Sequence, residues 1–581
     1  MTPAKSTATT TASPLAPIEP AIYYAPEAYR TRGPKLMGRN AAGEAFMRAW
    51  LKHSAQKTFR ARVHTPPFAA DFEADVHAVH PDAKVDCVTP QRLDRLKHAG
   101  VLYYPGPDIL QSAWERSLHG HAAWSLCGVT HTTASAAAMD SIAGWLTAPV
   151  HPWDAVICTS TVVQDTVKQV LETQAQHLAS RMGLSRLTLP MMPVIPLGVH
   201  SEDFHITPQA RGEARAALGL HPDQCVVLYV GRLSFHAKAH PLAMYQALQA
   251  AVTRVRPAQR AVLIECGWYG NTAIEAAFDE AAKLAMPGLD RRHVDGRDAV
   301  LRRQAWAAAD IFCSLSDNIQ ETFGLTPVEA MAAGLPSVVT DWNGYRDTVR
   351  HGTDGLRVPT WAPGPGDASD LARGHALGTM SYDHYCGHTS SAVAVDPKAC
   401  ADAFAALIGS PELRRRMGDA AQLRARETFD WSRVYRQYES LWAELTRRRL
   451  AAAKTLPVQA HPWPARMDPF TAFRTYPSHT LSDDTVLTMD QTLNEATEKL
   501  RQYLALAMVK PFAGAAADQT LAQNILAHCA SGPLTLTQLR SATHSNAATL
   551  TRRVAWLCKL GLLHAAPALT TGATPAAGEQ G

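Results

Sequence analysis

Apolar runs of strand length recur along most of this chain, and stretches of helical spacing separate them. AIYY (21–24), FRARVHT, KVDCVTP, GVLYYPGP, AAWSLCGVTH and AVICTS form one series. CVVLYVGRL, AVLIECGWYG, the run near HVDG (293–296), AADIFCSLS and SVVT form a second. Regular alternation of buried strand and amphipathic helix predicts parallel sheets covered by helices, arranged as Rossmann-like α/β units. In such units ligands sit where strand carboxyl ends meet helix N-termini.

The densest chemistry lies in DNIQETFGLTPVEAMAAGLPSVVT, Asp317 to Thr340. Thr326, Pro327 and Glu329 read as a helix start: a capping hydroxyl, a proline at the first helical position and a glutamate three residues after the cap. Gly334 and Pro336 end that helix. A Thr-x-x-Glu capping box would account for Glu329 without any ligand. Glu321 has no helix to cap, and it stands beside Phe323-Gly324, where the backbone can approach a ligand closely. Gly231-Arg232 at the end of an apolar strand, with Lys238 on the following loop, suits a diphosphate leaving group. A solvated pair of loop cations is the alternative. Gly38 and Gly43, in a loop feeding a helix expected from about Glu44 to His53, form an anion cradle in principle. His131 sits just past a strand, either as a structural histidine or as a site residue.

At 581 residues the chain exceeds one core, and about three domains are expected. A net charge of +4 favours no anionic partner, and 19% charged with 46% apolar residues is ordinary for a globular chain. The ten cysteines are scattered without a Cys-x-x-Cys, which reads as reduced thiols in a cytosolic protein. No apolar run reaches the ~20 residues of a membrane span. The first twenty residues read as a disordered leader and not a signal peptide. From Pro359 to Val395 runs a segment rich in Gly, Pro, His and Tyr. Its His384, Cys386 and His388 match no standard zinc spacing, so an insertion at a cleft edge, touching an acceptor, is expected and no metal.

Glu321-x7-Glu329, with Phe323-Gly324 between and EAMAAGLP after, resembles the signature of the retaining GT-B glycosyltransferases of the large family four, the glycosyl transferases group 1. The resemblance covers roughly residues 20–450 and is densest from 226 to 350. It implies two Rossmann-like domains facing a cleft, an acceptor domain at 21–200 and a donor domain at 201–450. It also implies a nucleotide-diphosphate sugar as donor, with no metal and no other cofactor. Glu321 would face the donor sugar and Glu329 hold the nucleotide ribose. Phe323 and Gly324, in the turn with Thr322 and Leu325, would hold the diphosphate with the helix N-terminus. Gly43 would border the donor phosphates, Gly231, Arg232 and Lys238 would receive the leaving diphosphate, and His131 would approach the sugar. In such enzymes acceptors range from lipid carriers to polysaccharides and small metabolites, consistent with cell-envelope or polysaccharide synthesis. Cytoplasmic work, or a peripheral place at the inner membrane face, follows from where nucleotide sugars are made.

A proline-spaced linker is expected at 451–490, and a disordered tail at 567–581. Between them, 491–566 reads as helix, turn, short helix, turn and longer helix, with Asn546 or Ser545 capping the last. This resembles a small α-rich winged-helix fold. Its third helix carries Arg552, Arg553 and Lys559 above an inward face of Val554, Leu557 and Leu560. Three cations with few aromatics are thin for DNA, so a protein partner or self-association is preferred. The rival to a transferase is a nucleotide-sugar-binding regulator acting through this tail. A third course, epimerisation of the nucleotide sugar, lacks its set of clustered carboxylates.

Overall fold

The apolar runs become the strands of two six-stranded parallel sheets. In the first half β1 (Ala21–Tyr23), β2 (Thr58–Arg62), β3 (Lys84–Val88), β4 (Val101–Tyr103), β5 (Ser125–Val129) and β6 (Ala155–Ile157) lie in the order β3-β2-β1-β4-β5-β6. In the second, β7 (Cys225–Val230), β8 (Ala261–Gly267), β9 (Asp290–Asp295), β10 (Ile311–Ser314), β11 (Ser337–Thr340) and β12 (Gly355–Val358) lie in the order β12-β11-β10-β7-β8-β9. Counted within its own half, each sheet has the doubly wound Rossmann order. Each therefore has a crevice where the order reverses, at β1/β4 and at β7/β10. Every residue of β7 and β8 is buried, as expected of strands covered on both faces. This computed structural model describes residues 18–31, 38–255, 260–457 and 462–567. Most of the expected leader (1–17) and of the expected tail (568–581) lies outside the described residues.

The chain divides into two compact units at Pro464. Both sheets belong to the first. The helix Trp431–Ala452 starts beside the second half and lays its apolar face on the first sheet. Trp431, Tyr435, Tyr438 and Trp442 there join Phe46 and Tyr103 in one buried aromatic cluster.

One helix boundary differs from the sequence expectation. The helix expected near Glu44 begins at Gly38, so Gly43 lies inside Gly38–His53 and not in a loop. Packing sets the difference: a Cβ on Gly43 would stand 1.9 Å from the Ala28 carbonyl oxygen. The missing side chain lets this helix meet the short helix Pro26–Tyr29, a packing reason for the glycine. The 359–395 segment is a ribbon of β13 (Thr360–Trp361) and β14 (Ala394–Val395) carrying the helices Ser369–Ala376 and Tyr382–Ser391.

The second unit begins at Ala465 and has its own core of Leu487, Leu500, Ile525, Leu539, Leu550 and Leu557. Its sheet is antiparallel, in the order β16-β15-β17, with β15 at Val486–Thr488, β16 at Leu534–Thr535 and β17 at His564–Ala566. The central strand thus comes from the segment expected to be linker. The helices Ala516–Cys529, Leu536–Thr543 and Ala547–Lys559 follow the expected order, and Asn546 caps the last. Arg553 is buried and donates to the Ala513 carbonyl at 3.0 Å, so it is not presented with Arg552 as expected. Among the described residues no helix is long and apolar enough to cross a membrane.

Candidate active site

The β7/β10 crevice gathers most of the residues singled out by sequence. The chain leaves β7 through Gly231, whose φ of +151° brings its carbonyl within 1.9 Å of where a Cβ on Gly267 would be. The Tyr229 hydroxyl then donates to the Arg232 carbonyl at 3.1 Å. The Arg232 guanidinium is half-buried and makes no hydrogen bond or ion pair among the described residues. The loop that follows is stitched to the exit of β10: Asn318 donates to the His236 carbonyl at 3.0 Å, and Ser316 to that of Lys238 at 3.4 Å.

That stitching delivers Lys238 Nζ to Glu321 Oε2 at 2.8 Å. The other carboxylate oxygen, Oε1, accepts from the amides of Thr322 (3.2 Å), Phe323 (3.4 Å) and Gly324 (3.0 Å). Burial pushes the Glu321 carboxyl up, but the Lys238 charge and hydrogen bond, helped by the amides, outweigh it and hold the group below the usual carboxylate range. Glu321 is therefore an anion seated on the amides that open the next helix, which is where a ligand's negative charge would be received.

That helix runs Leu325–Ala332 and its N-cap is Gly324, φ +93°, with no side-chain cap bond. A Cβ on Gly324 would sit 2.4 Å from the Tyr345 ring, so this turn requires glycine. Thr326 is consequently inside the helix, and the capping box offered for Glu329 does not form. Instead the Glu329 carboxyl makes no hydrogen bond or ion pair among the described residues. Burial pushes its carboxyl up to about 7 against the pull of Arg302 and Lys238. Phe323 is buried at an edge-on contact with Phe429, and Leu325 is half-buried at the first helical position.

Thr322 joins this crevice to the first half. Its hydroxyl donates to the His131 carbonyl at 2.8 Å, and its carbonyl accepts from Ser160 at 2.7 Å. Burial, then the Arg39 charge, pushes the His131 imidazole down to about 4. Gly43, on the same helix as Arg39, is not part of this cluster. Sequence reasoning gave no role to Asn343, whose side-chain amide donates to the Glu321 carbonyl at φ +47°. Its Asn-Gly dipeptide was a readable turn signal. It also missed Asp317, which is buried, accepts from the His240 amide, and is pushed up to about 7 by burial. Tyr382 of the insertion, 3.5 Å from the Thr132 hydroxyl, left no sequence signal.

A pH consequence follows at His131. Its folded value lies below the ordinary 6.5, so the stability tied to the neutral ring is complete above pH 6.5 and drains as pH falls toward 4. A His131→Gln protein is expected to lose less stability than the parent between pH 7 and pH 5, by about 2 kcal/mol at most. Urea melts at the two pH values check this, and identical losses in both proteins would contradict it.

Residues 224–374 match the family described as Glycosyl transferases group 1. The chain is 32% identical over 214 residues to a D-inositol 3-phosphate glycosyltransferase of Geodermatophilus obscurus, covering 36% of this chain and 45% of that one. It is 25% identical over 286 residues to spore coat protein SA of Bacillus subtilis, covering 48% and 64% respectively. The chain spans about half the length of the curated relatives it matches. Among solved structures, Anabaena HepE in complex with UDP and glucose aligns over 74% of this chain and 100% of that one at 15% identity, with a TM-score of 0.46, too loose a likeness to argue from. Residues 224–374, from the first strand of the second sheet into the insertion, carry a glycosyl transferases group 1 domain.

Proposed function

We propose that the protein is a retaining glycosyltransferase that moves a hexose-type sugar from a nucleotide-diphosphate sugar to a hydroxyl-bearing acceptor. One observation carries the reading: Arg232, Lys238, Glu321 and a helix N-terminus converge at a switch-point crevice, with Arg232 unpaired among the described residues. As the bond from C1 to the phosphate oxygen breaks, its electron pair stays on the diphosphate, and Arg232, Lys238 and the helix amides receive that charge. The acceptor oxygen bonds C1 from the same face, and its proton passes to the departing phosphate oxygen. In this reading Glu321 positions the sugar and supports the positive charge at C1. Glu329 takes the ribose hydroxyls, and a neutral His131 hydrogen-bonds the sugar. The two cations and the helix N-terminus supply the charge compensation, so the reading requires no metal.

The second unit is read as a winged-helix-like module for protein contact, since Arg553 is turned inward. Nucleotide sugars as substrates put the work on the cytoplasmic side. The test is calorimetry with UDP-, GDP- and ADP-hexoses against wild type and Arg232→Ala. One nucleotide is expected to bind, and the variant to lose about 1.5–3 kcal/mol, the worth of a charged hydrogen bond. Binding of none of the panel, or equal binding by both proteins, overturns the reading.

A further inference from the structure

At the amino ends of β1 and β4, on the opposite edge of the first sheet from His131, lies a cavity of about 250 Å³. Glu19, Lys97, His98, Gly100, Thr446 and Arg449 contribute to its wall. Arg449 is only 7% exposed, yet among the described residues no carboxylate stands within ion-pair distance of it. One of its nitrogens donates to the Ala122 carbonyl at 3.2 Å, while Nε has no partner, and the buried Thr446 hydroxyl has none either.

The nearby charges deepen the imbalance. Arg116 adds a second cation, and the buried carboxylate whose charge does reach Arg449, Asp154, is shared with it: Asp154 is engaged by two Arg116 nitrogens and by the amides of Leu126 and His151. Glu19 is committed to the Arg60 guanidinium at 3.0 Å and the Lys57 amide at 3.1 Å. Residues 1–17, which precede the wall residue Ile18, contain no Asp or Glu, so they bring no counter-charge. Lys97, exposed at the rim beside His98, raises the positive potential further. Gly100, φ +71°, keeps the wall open, since a Cβ there would press on the guanidinium at 3.0 Å.

A buried cation with no ion-pair partner of its own is costly, and a planar guanidinium fork matches the oxygens of a tetrahedral oxyanion. We propose that this cavity is a phosphate-binding site, taking free phosphate or the phosphate group of a small monoester, and lying apart from the transfer site. Arg449 grips the anion, Thr446 donates to it, and Lys97 and His98 hold it at the rim. The proposal does not rest on the transferase reading.

The test uses the full chain with Arg232→Ala in the background, so that anion binding at the β7/β10 crevice is suppressed. Inorganic phosphate and glycerol phosphate are titrated by calorimetry, with chloride at matched ionic strength as control, and thermal melts are run alongside. Phosphate is expected to bind and to raise Tm progressively with the logarithm of its concentration above the dissociation constant. Lys97→Ala, an exposed substitution that leaves the core intact, is expected to weaken phosphate by about tenfold, and Arg449→Met to abolish binding. Tighter binding of glycerol phosphate assigns the site to an ester, and equal or weaker binding to the free anion. Phosphate that fails to bind beyond the chloride control, or that binds equally to the Lys97→Ala protein, overturns the proposal.

Discussion

Under the proposed transferase function, changing Glu321 to glutamine is expected to lower sugar transfer by roughly a hundred- to a thousandfold while nucleoside diphosphate binding is kept or becomes tighter. The two effects have one cause. The Glu321 carboxylate now occupies the Thr322, Phe323 and Gly324 amides and the Lys238 ammonium. In the proposed reading a diphosphate coming to the same donors displaces that anion, which makes Glu321 an internal competitor for the ligand. An uncharged amide in its place competes less for Lys238, while the sugar loses the carboxylate that steadies it as the C1 bond breaks. Transfer rates with the donor found by calorimetry, set beside the dissociation constant of the nucleoside diphosphate, separate the two effects. If binding and transfer fall together, Glu321 holds the nucleotide and the competitor account is wrong.

The largest stability effect is expected far from that crevice. Arg116 and Asp154 are both 0% exposed and face each other in the first half. Arg116 also donates to the carbonyls of Trp124 and Pro149, at 3.0 and 2.9 Å. Arg116→Met leaves Asp154 as a buried anion whose remaining partners are main-chain amides, and such broken pairs lose about 3–5 kcal/mol. Denaturant melts at pH 7 measure the loss, and the double variant Arg116→Met, Asp154→Leu is expected to recover much of it because both charges are gone. A loss below about 1 kcal/mol in the single variant would mean that the pair is matched by water or relaxation.

Both sheets were legible in the sequence because parallel strands, buried on two faces, are written as unbroken apolar runs. CVVLYV and AVLIECG name β7 and β8 without help from context. Glu321 stood out because it has no helix to cap, whereas Arg232 and Lys238 also read as solvated loop cations and were singled out through the family resemblance. The structure brings Lys238 onto Glu321. Helix starts were not. A threonine-proline pair reads as a cap, but at residue 324 a left-handed glycine does the capping and moves Thr326 inside. At Gly43 an ambiguous glycine was taken for a loop residue, when the contact that explains it is the Ala28 carbonyl, fifteen positions away in sequence and adjacent only in space. The strand Val486–Thr488 was lost among prolines because its pairing partners, at Leu534–Thr535 and His564–Ala566, lie dozens of residues downstream.

The helix Trp431–Ala452 has a consequence for how the molecule comes into being. The aromatic face that seals the first sheet is encoded after the whole of the second one. A nascent chain emerging from the ribosome therefore cannot complete its first half when residue 200 appears. It must keep Phe46 and Tyr103 waiting until the helix Trp431–Ala452 is synthesised. Termination just before Trp431 would leave both sheets translated and the first of them unsealed, an aggregation-prone product.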